Sequence, residues 1–144
     1  MLSLNQIKSN LLSYFTSHAQ VKQIVYGDDF KFNGERDLSY PVVNIEFLDA
    51  SISQKLLNYN FKFVIGDFTS DNTEQQDEVI SDSLLIAEDF FSFLQETEGW
   101  VFSKSSSIQK FVDDSGDRVS GIVFRVVLSV VRSQNACSTP LHAQ

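Results

Sequence analysis

The hydrophobic positions along the chain change their spacing several times, and each change predicts a new element. Helical spacing separates the first four: Leu4, Ile7, Leu11 and Phe15. Ser3 and Gln6 form an S-x-x-Q capping box ahead of them, so we expect a helix that ends near His18. A short extended run, KQIVYG, follows this helix.

Two strands are predicted next. YPVVNIEF forms the first, and the polar segment DASISQK is expected to turn the chain. The second strand alternates strictly between apolar and polar positions. Its apolar positions are Leu57, Tyr59, Phe61, Phe63 and Ile65. A face this apolar must be buried against another element.

A long helix is the expected partner of that face. Asp71 and Glu74 form a second capping box at its start, and Glu98-Gly99 ends it. Two neighbouring stripes of this helix are predicted to face the core: Val79, Ser83, Ile86, Phe90 and Phe93, and Ile80, Leu84, Ala87, Phe91 and Leu94. A stripe of this width is typical of a helix that lies across a sheet.

The last third predicts a hairpin. Residues 100–102 and 108–112 form its outgoing strand, with a bulge in the Ser-rich segment between them, and DDSGD is the turn. The returning strand, residues 119–132, carries apolar residues on both faces. Such a strand is either central and covered on both sides, or its second face meets another subunit.

The predicted order is helix, three strands, helix, two strands. This order favours an α+β fold, a mainly antiparallel sheet with two helices packed on one face. A chain of 144 residues suits one domain, which we place at residues 1–134. Residues 135–144 are expected to form an extended tail.

Composition narrows the functional classes. The net charge of −8 leaves no surplus of basic residues for phosphate contacts, so specific nucleic-acid binding is not expected. Cys137 is the single cysteine, which excludes an internal disulfide. The chain has no apolar run of the roughly 18 residues that a membrane span needs, and MLSLNQIKSN lacks the marks of a signal peptide. We therefore expect a protein made in the cytoplasm, with no membrane partner.

The acidic segment GDFTSDNTEQQDE matches a calcium loop in part. Six of its residues fall at the ligand positions of an EF-hand: Asp67, Thr69, Asp71, Thr73, Gln75 and Glu78. Asn72 stands where that loop needs glycine, and a strand precedes it. Capping and the helix dipole account for the same residues. We interpret the segment as a joint between strand and helix.

Other catalytic patterns are weak. His18 and His142 are the only histidines, no G-x-S-x-G is present, and the six glycines form no phosphate loop. Carboxylate pairs for glycoside chemistry stay open, because acidic residues are plentiful. We expect a protein that is not an enzyme, with no catalytic residue, no metal ligand and no cofactor.

Some apolar and charged positions suggest self-association. Phe30 and Phe32 lie in the long loop 27–39, where the alternatives are a flap against the core and a partner surface. We assign five residues to a subunit interface: Phe30, Phe32, Arg36, Arg125 and Val127.

In the order and spacing of its elements the chain resembles the tail terminator, or tail completion, proteins of long-tailed bacteriophages. The resemblance covers residues 4–134. Its parts are a short N-terminal helix, the strands YPVVNIEF and NYNFKFVIGDF, the helix EQQDEVISDSLLIAEDFFSFL and the hairpin IQKFVDDSGDRVSGIVFRVVLSVV. The -CSTP- ending is also similar to the ending of small phage tail and neck proteins.

The resemblance implies a structural virion protein without catalytic activity. It implies a hexameric ring that caps the tail tube, ends its growth and offers a surface for joining the head. The implied partners are other copies, the tail tube protein and a head-completion or neck protein, with assembly in the bacterial cytoplasm. DNA would pass through the ring without specific binding, since acidic side chains repel phosphate. We place five acids on lumen- or tube-facing surfaces: Asp28, Asp29, Asp113, Asp114 and Asp117.

Two alternatives stay open. The first is another phage ring component, a neck connector or a tail tube subunit, because the loop 27–39 is a short version of the loop that tube proteins carry. The more remote alternative is a small metal-dependent enzyme that uses the acidic segments.

Overall fold

The computed structural model describes residues 2–27, 39–69, 73–113 and 118–132. These residues form two helices and one six-stranded sheet, which confirms the predicted α+β fold. The predicted tail, residues 135–144, lies outside the described residues.

The two helices are α1, Leu4–Ser17, and α2, Thr73–Glu96. The predicted capping box of α1 is present: the Ser3 hydroxyl accepts from the Gln6 N–H at 3.2 Å, and the Gln6 side chain accepts from the Ser3 N–H at 2.8 Å. Asp71, predicted to cap α2, lies outside the described residues. Neither described helix is long and apolar enough to span a membrane.

The strands are β1 Gln23–Tyr26, β2 Val42–Ser53, β3 Leu56–Phe68, β4 Val101–Ser105, β5 Gln109–Asp113 and β6 Val119–Val131. Their order in the sheet is β1-β2-β3-β6-β4, and β5 also pairs with β6. All pairs are antiparallel except the parallel pair of β1 and β2. The mainly antiparallel sheet is therefore confirmed.

The turn predicted at DASISQK is wrong for most of that segment. β2 pairs with β3 as far as Ser53 opposite Leu56, so only two residues, 54 and 55, form the turn. Side chains of β3 hold the small polar residues in the strand, since Asn60 donates to Asp49 and Asn58 donates toward the hydroxyl of Ser51. Local turn preference is overridden here by cross-strand hydrogen bonds.

The outgoing strand of the last hairpin is divided in two. β4 pairs with the C-terminal half of β6, and β5 pairs with its N-terminal half. Between them, the Ser106 N–H donates to the Arg125 carbonyl at 2.9 Å, and the Ser106 hydroxyl accepts from the Arg125 N–H at 2.9 Å. The register of β4 shifts between Phe102 and Lys104, where the bulge is predicted, and beyond this shift Ser106 keeps the backbone of β6 paired.

Both helices pack on the same face of the sheet. The predicted alternation of β3 is confirmed, because Phe61, Phe63 and Ile65 are fully buried in this core. Phe63 stacks on Phe124 of β6 at 5.4 Å between ring centroids and lies 4.7 Å from the Phe90 ring of α2. Each such buried ring contributes roughly 1.5–3 kcal/mol of hydrophobic free energy.

The buried stripe of α2 is narrower than predicted. Leu84, expected to face the core, is 41% exposed, and its neighbour Leu85 is 52% exposed. The side toward the sheet is already filled by five buried residues: Ser83, Ile86, Ala87, Phe90 and Leu94. Two leucines therefore remain on the outer surface of the helix.

Candidate functional site

The face of the sheet opposite the helices is the main candidate surface, and we call it the helix-free face. Lys62 and Val64 of β3, and Val123, Arg125 and Val127 of β6, lie on it because they alternate with the buried core residues. Neither described helix packs on this face, although its end around Val42 and Val119 is buried. β6, predicted to be apolar on both faces, is central in the sheet yet covered by helices on one face only.

One end of the helix-free face carries a small apolar cluster of its own. Val42 and Val119 are fully buried there, packed with partly buried neighbours: Val25, Tyr40, Val64 and Phe111. The Tyr40 ring lies 4.1 Å from the Phe68 ring. Sequence reasoning missed this cluster, because its members come from five strands and the segment before β2.

The middle of the helix-free face carries two cations side by side. Lys62 and Arg125 are direct cross-strand partners, and Glu46 of β2 is the partner of Lys62 on its other side. Like charges directly opposite each other destabilise an antiparallel pair. Within the described ranges neither cation forms an ion pair, and the one such contact joins His18 to Asp89. Arg125 is also exposed.

Two open cavities lie beside Arg125. The first, about 280 Å³, is lined by Leu48, Asp49, Asn60, Ser106, Arg125 and Val127. The second, about 430 Å³, is lined by Lys62, Ser106, Ser107, Gln109, Val123, Phe124 and Arg125. The cavities beside Arg125 can therefore accept a side chain from a partner. A guanidinium pairs well with carboxylates.

Two of the five predicted interface residues are brought together here. Arg125 and Val127 line the same cavity on the helix-free face. Phe30, Phe32 and Arg36 lie outside the described residues. Lys62 was missed as a candidate, although it is the single cation among the polar positions of the strictly alternating strand.

Of the five acids predicted to face a lumen or tube, the structure describes one. Asp113 ends β5 opposite Val119, beside the apolar cluster, and is half-buried. Asp28, Asp29, Asp114 and Asp117 lie outside the described residues. The lumen-facing role of these acids stays a prediction.

The acidic segment after β3 does not gather ligands in its described part. Burial raises the pKa of Asp67, with a further contribution from Asp82, while a hydrogen bond from the Phe68 N–H at 2.8 Å opposes the rise. Among the described residues, no group of three or more His, Cys, Asp or Glu side chains comes together. Asp71 lies outside this part.

His18 joins the two helices. Its Nε2 lies 3.0 Å from the Asp89 carboxylate, and its Nδ1 accepts from the Gln20 N–H at 3.2 Å. Burial, and then the charge of Asp89, raise the pKa of the neighbouring Tyr14 to about 12. Hydrogen bonding and ring packing account for His18, and His142 lies outside the described residues.

The outward surface of α2 is the second candidate surface, and we call it the acidic helix face. α2 contains seven acidic residues and no basic residue. All seven are exposed: Glu74, Asp77, Glu78, Asp82, Glu88, Asp89 and Glu96. Leu84 and Leu85 lie exposed among them. This face points away from the sheet, on the side of the molecule opposite the helix-free face.

Comparison with family models and with curated sequences identifies no relative of this chain. No protein-family model matches the chain, and no curated protein sequence matches it. The helix-free face and the acidic helix face are therefore the features from which a function is inferred.

Proposed function

We propose that this protein is a structural virion subunit, a tail terminator of a long-tailed bacteriophage. In this proposal it forms a hexameric ring that caps the tail tube, ends its growth and offers the surface for joining the head. The observation that carries the proposal is the helix-free face, on which neither described helix packs. A sheet face with apolar and charged residues around open cavities is suited to contact with another subunit.

The charge of the subunit supports the same role. Each copy carries a net charge of −8, and a ring of copies multiplies this charge around a central opening. A negative field of this kind repels phosphate, so DNA passes without adhering. The phage assignment itself rests on the resemblance in the order of elements.

The proposal is tested by mass and by tube growth. Light scattering after size exclusion, with negative-stain images of the same peak, is expected to show a closed ring of constant mass over a range of concentrations. Adding the protein to growing tail tubes is expected to stop their elongation.

Two other results would contradict this role. Filaments that lengthen with concentration would indicate a tail tube subunit, because a contact that fails to close grows without limit. A protein that forms no ring and leaves tube growth unchanged would remove the terminator proposal.

A further inference from the structure

The acidic helix face and the helix-free face are complementary surfaces on opposite sides of one subunit. We propose that the acidic helix face of one copy docks on the helix-free face of the next copy. This inference rests on the proposed ring-forming function and names the two surfaces that meet. The occupant of the helix-free face is thus a helix of a second copy.

Charge complementarity supports this pairing. Glu74, Glu78 and Asp82 follow one another at four-residue spacing on α2, where like charges repel. On the other surface, Lys62 and Arg125 lie side by side across the β3–β6 pair, with Glu46 opposite Lys62 and Asp49 lining the cavity beside Arg125. Neither cation forms an ion pair among the described residues, so docking gives Lys62 and Arg125 carboxylate partners from α2.

The apolar residues fit the same pairing. Leu84 and Leu85 are exposed on the acidic helix face, whereas Val123 and Val127 are half-buried on the helix-free face and line the cavities beside Arg125. Burying an exposed leucine contributes roughly 1.5–3 kcal/mol in transfer free energy. A sheet with helices on one face gains a second helical layer in this way, as in other layered architectures.

The two surfaces are different, so the contact is head-to-tail. Such a heterologous contact leaves one unused surface at each end, and it closes into a ring or continues as a filament. A dimer with two-fold symmetry would instead use the same surface on both copies.

Two variants separate the surfaces. Arg125→Glu damages the helix-free face, and Leu85→Lys damages the acidic helix face. Each is expected to weaken self-association by at least about tenfold, which is about 1.4 kcal/mol. The matched controls are Arg132→Glu, which makes the same charge change one residue beyond the end of β6, and Ile52→Lys, which changes another exposed apolar residue, 62% exposed in the structure.

The variants are expected to stay folded. Arg125 and Leu85 are both exposed, and glutamate at position 125 faces Lys62 as an opposite charge. At a concentration at which both proteins are monomeric, the thermal unfolding midpoint of Arg125→Glu should therefore equal or exceed that of the wild type, because assembly by itself raises the midpoint. A lower mass, with a midpoint no lower than that of the dissociated wild type, identifies a lost interface rather than a lost fold.

Mixing the two variants gives the decisive result. Arg125→Glu keeps an intact acidic helix face, and Leu85→Lys keeps an intact helix-free face. The mixture is expected to form a one-to-one complex that grows no further, with an affinity that falls as salt rises. The absence of that complex, or full assembly of either variant alone, overturns the docking proposal.

The docking proposal and the ring proposal fail differently. If both variants still form the rings that the wild type forms, the docking proposal is wrong and the ring-forming function stands. If the wild type forms open filaments that never close into rings, and both variants fail to form them, the docking surfaces are supported and the terminator function is wrong.

Discussion

Gly121 lies directly opposite Gly66 in the β3–β6 pair, and a Cβ atom at position 121 would stand 1.9 Å from the carbonyl oxygen of Ile65. A separation this short is far inside van der Waals contact with rigid backbone. The close approach of the two strands therefore depends on glycine at position 121.

Replacing this glycine is expected to destabilise the fold. Gly121→Ala forces β3 and β6 apart, and overpacking of this kind typically costs about 1–3 kcal/mol in the free energy of unfolding. Chemical denaturation of the variant and the wild type measures the difference. An unchanged denaturation midpoint would show that the two strands shift freely at this point.

Ser120, the neighbour of Gly121, is expected to respond in the opposite direction. Its hydroxyl is fully buried and has no hydrogen-bond partner among the described residues. An unsatisfied buried hydroxyl costs about 1–3 kcal/mol, so Ser120→Ala should raise the free energy of unfolding by about 1 kcal/mol. Equilibrium denaturation checks this value.

Ser83 supplies the matched control for that change. It is also buried, but its hydroxyl donates to the Val79 carbonyl at 3.0 Å. Ser83→Ala is therefore expected to be neutral or to lower the free energy of unfolding by up to about 1.5 kcal/mol. Equal losses in both variants would mean that the Ser120 hydroxyl contributes to stability.

Asp67 is expected to make stability depend on pH. Burial raises its pKa above the ordinary value of 3.8, so the folded protein binds this proton more tightly than the unfolded chain. The stabilising contribution of protonated Asp67 is fully present below pH 3.8. This contribution is lost as the pH rises from that value through the raised pKa. Asp67→Asn should remove this loss and be more stable than the wild type at neutral pH.

Thermal unfolding of both proteins across the acid range measures the effect. Asp77→Asn, on the exposed surface of α2, controls for the loss of one negative charge. A difference between wild type and Asp67→Asn that stays constant with pH would contradict the assignment to Asp67.

Divalent metal ions are expected to leave the protein unchanged. Among the described residues no group of three or more His, Cys, Asp or Glu side chains could hold a metal ion, and the EF-hand pattern lacks its glycine. The thermal midpoint should therefore be the same with Ca²⁺, Mg²⁺, Mn²⁺ or Zn²⁺ and with a chelator. A midpoint that rises with the concentration of one ion would revive the metal-dependent alternative, since a ligand of the native state stabilises it.

The sequence by itself determined the order of the helices and strands and the buried face of β3. Strict alternation in β3 requires one face to be apolar, and the pattern around Ser3 and Gln6 is enough to begin a helix, because both signals depend on residues close together in the chain. Of the candidate surface, Arg125 and Val127 were identified from the same kind of pattern.

Tertiary structure alone decided how those elements meet. The register that places Lys62 beside Arg125, and Gly66 beside Gly121, joins residues far apart in the chain, and local patterns carry no information about such pairs. The same holds for the polar residues of β2 that remain in a strand and for Leu84, which is exposed because other residues already fill the buried side of α2. The helix-free face exists because both helices pack on the other face of the sheet.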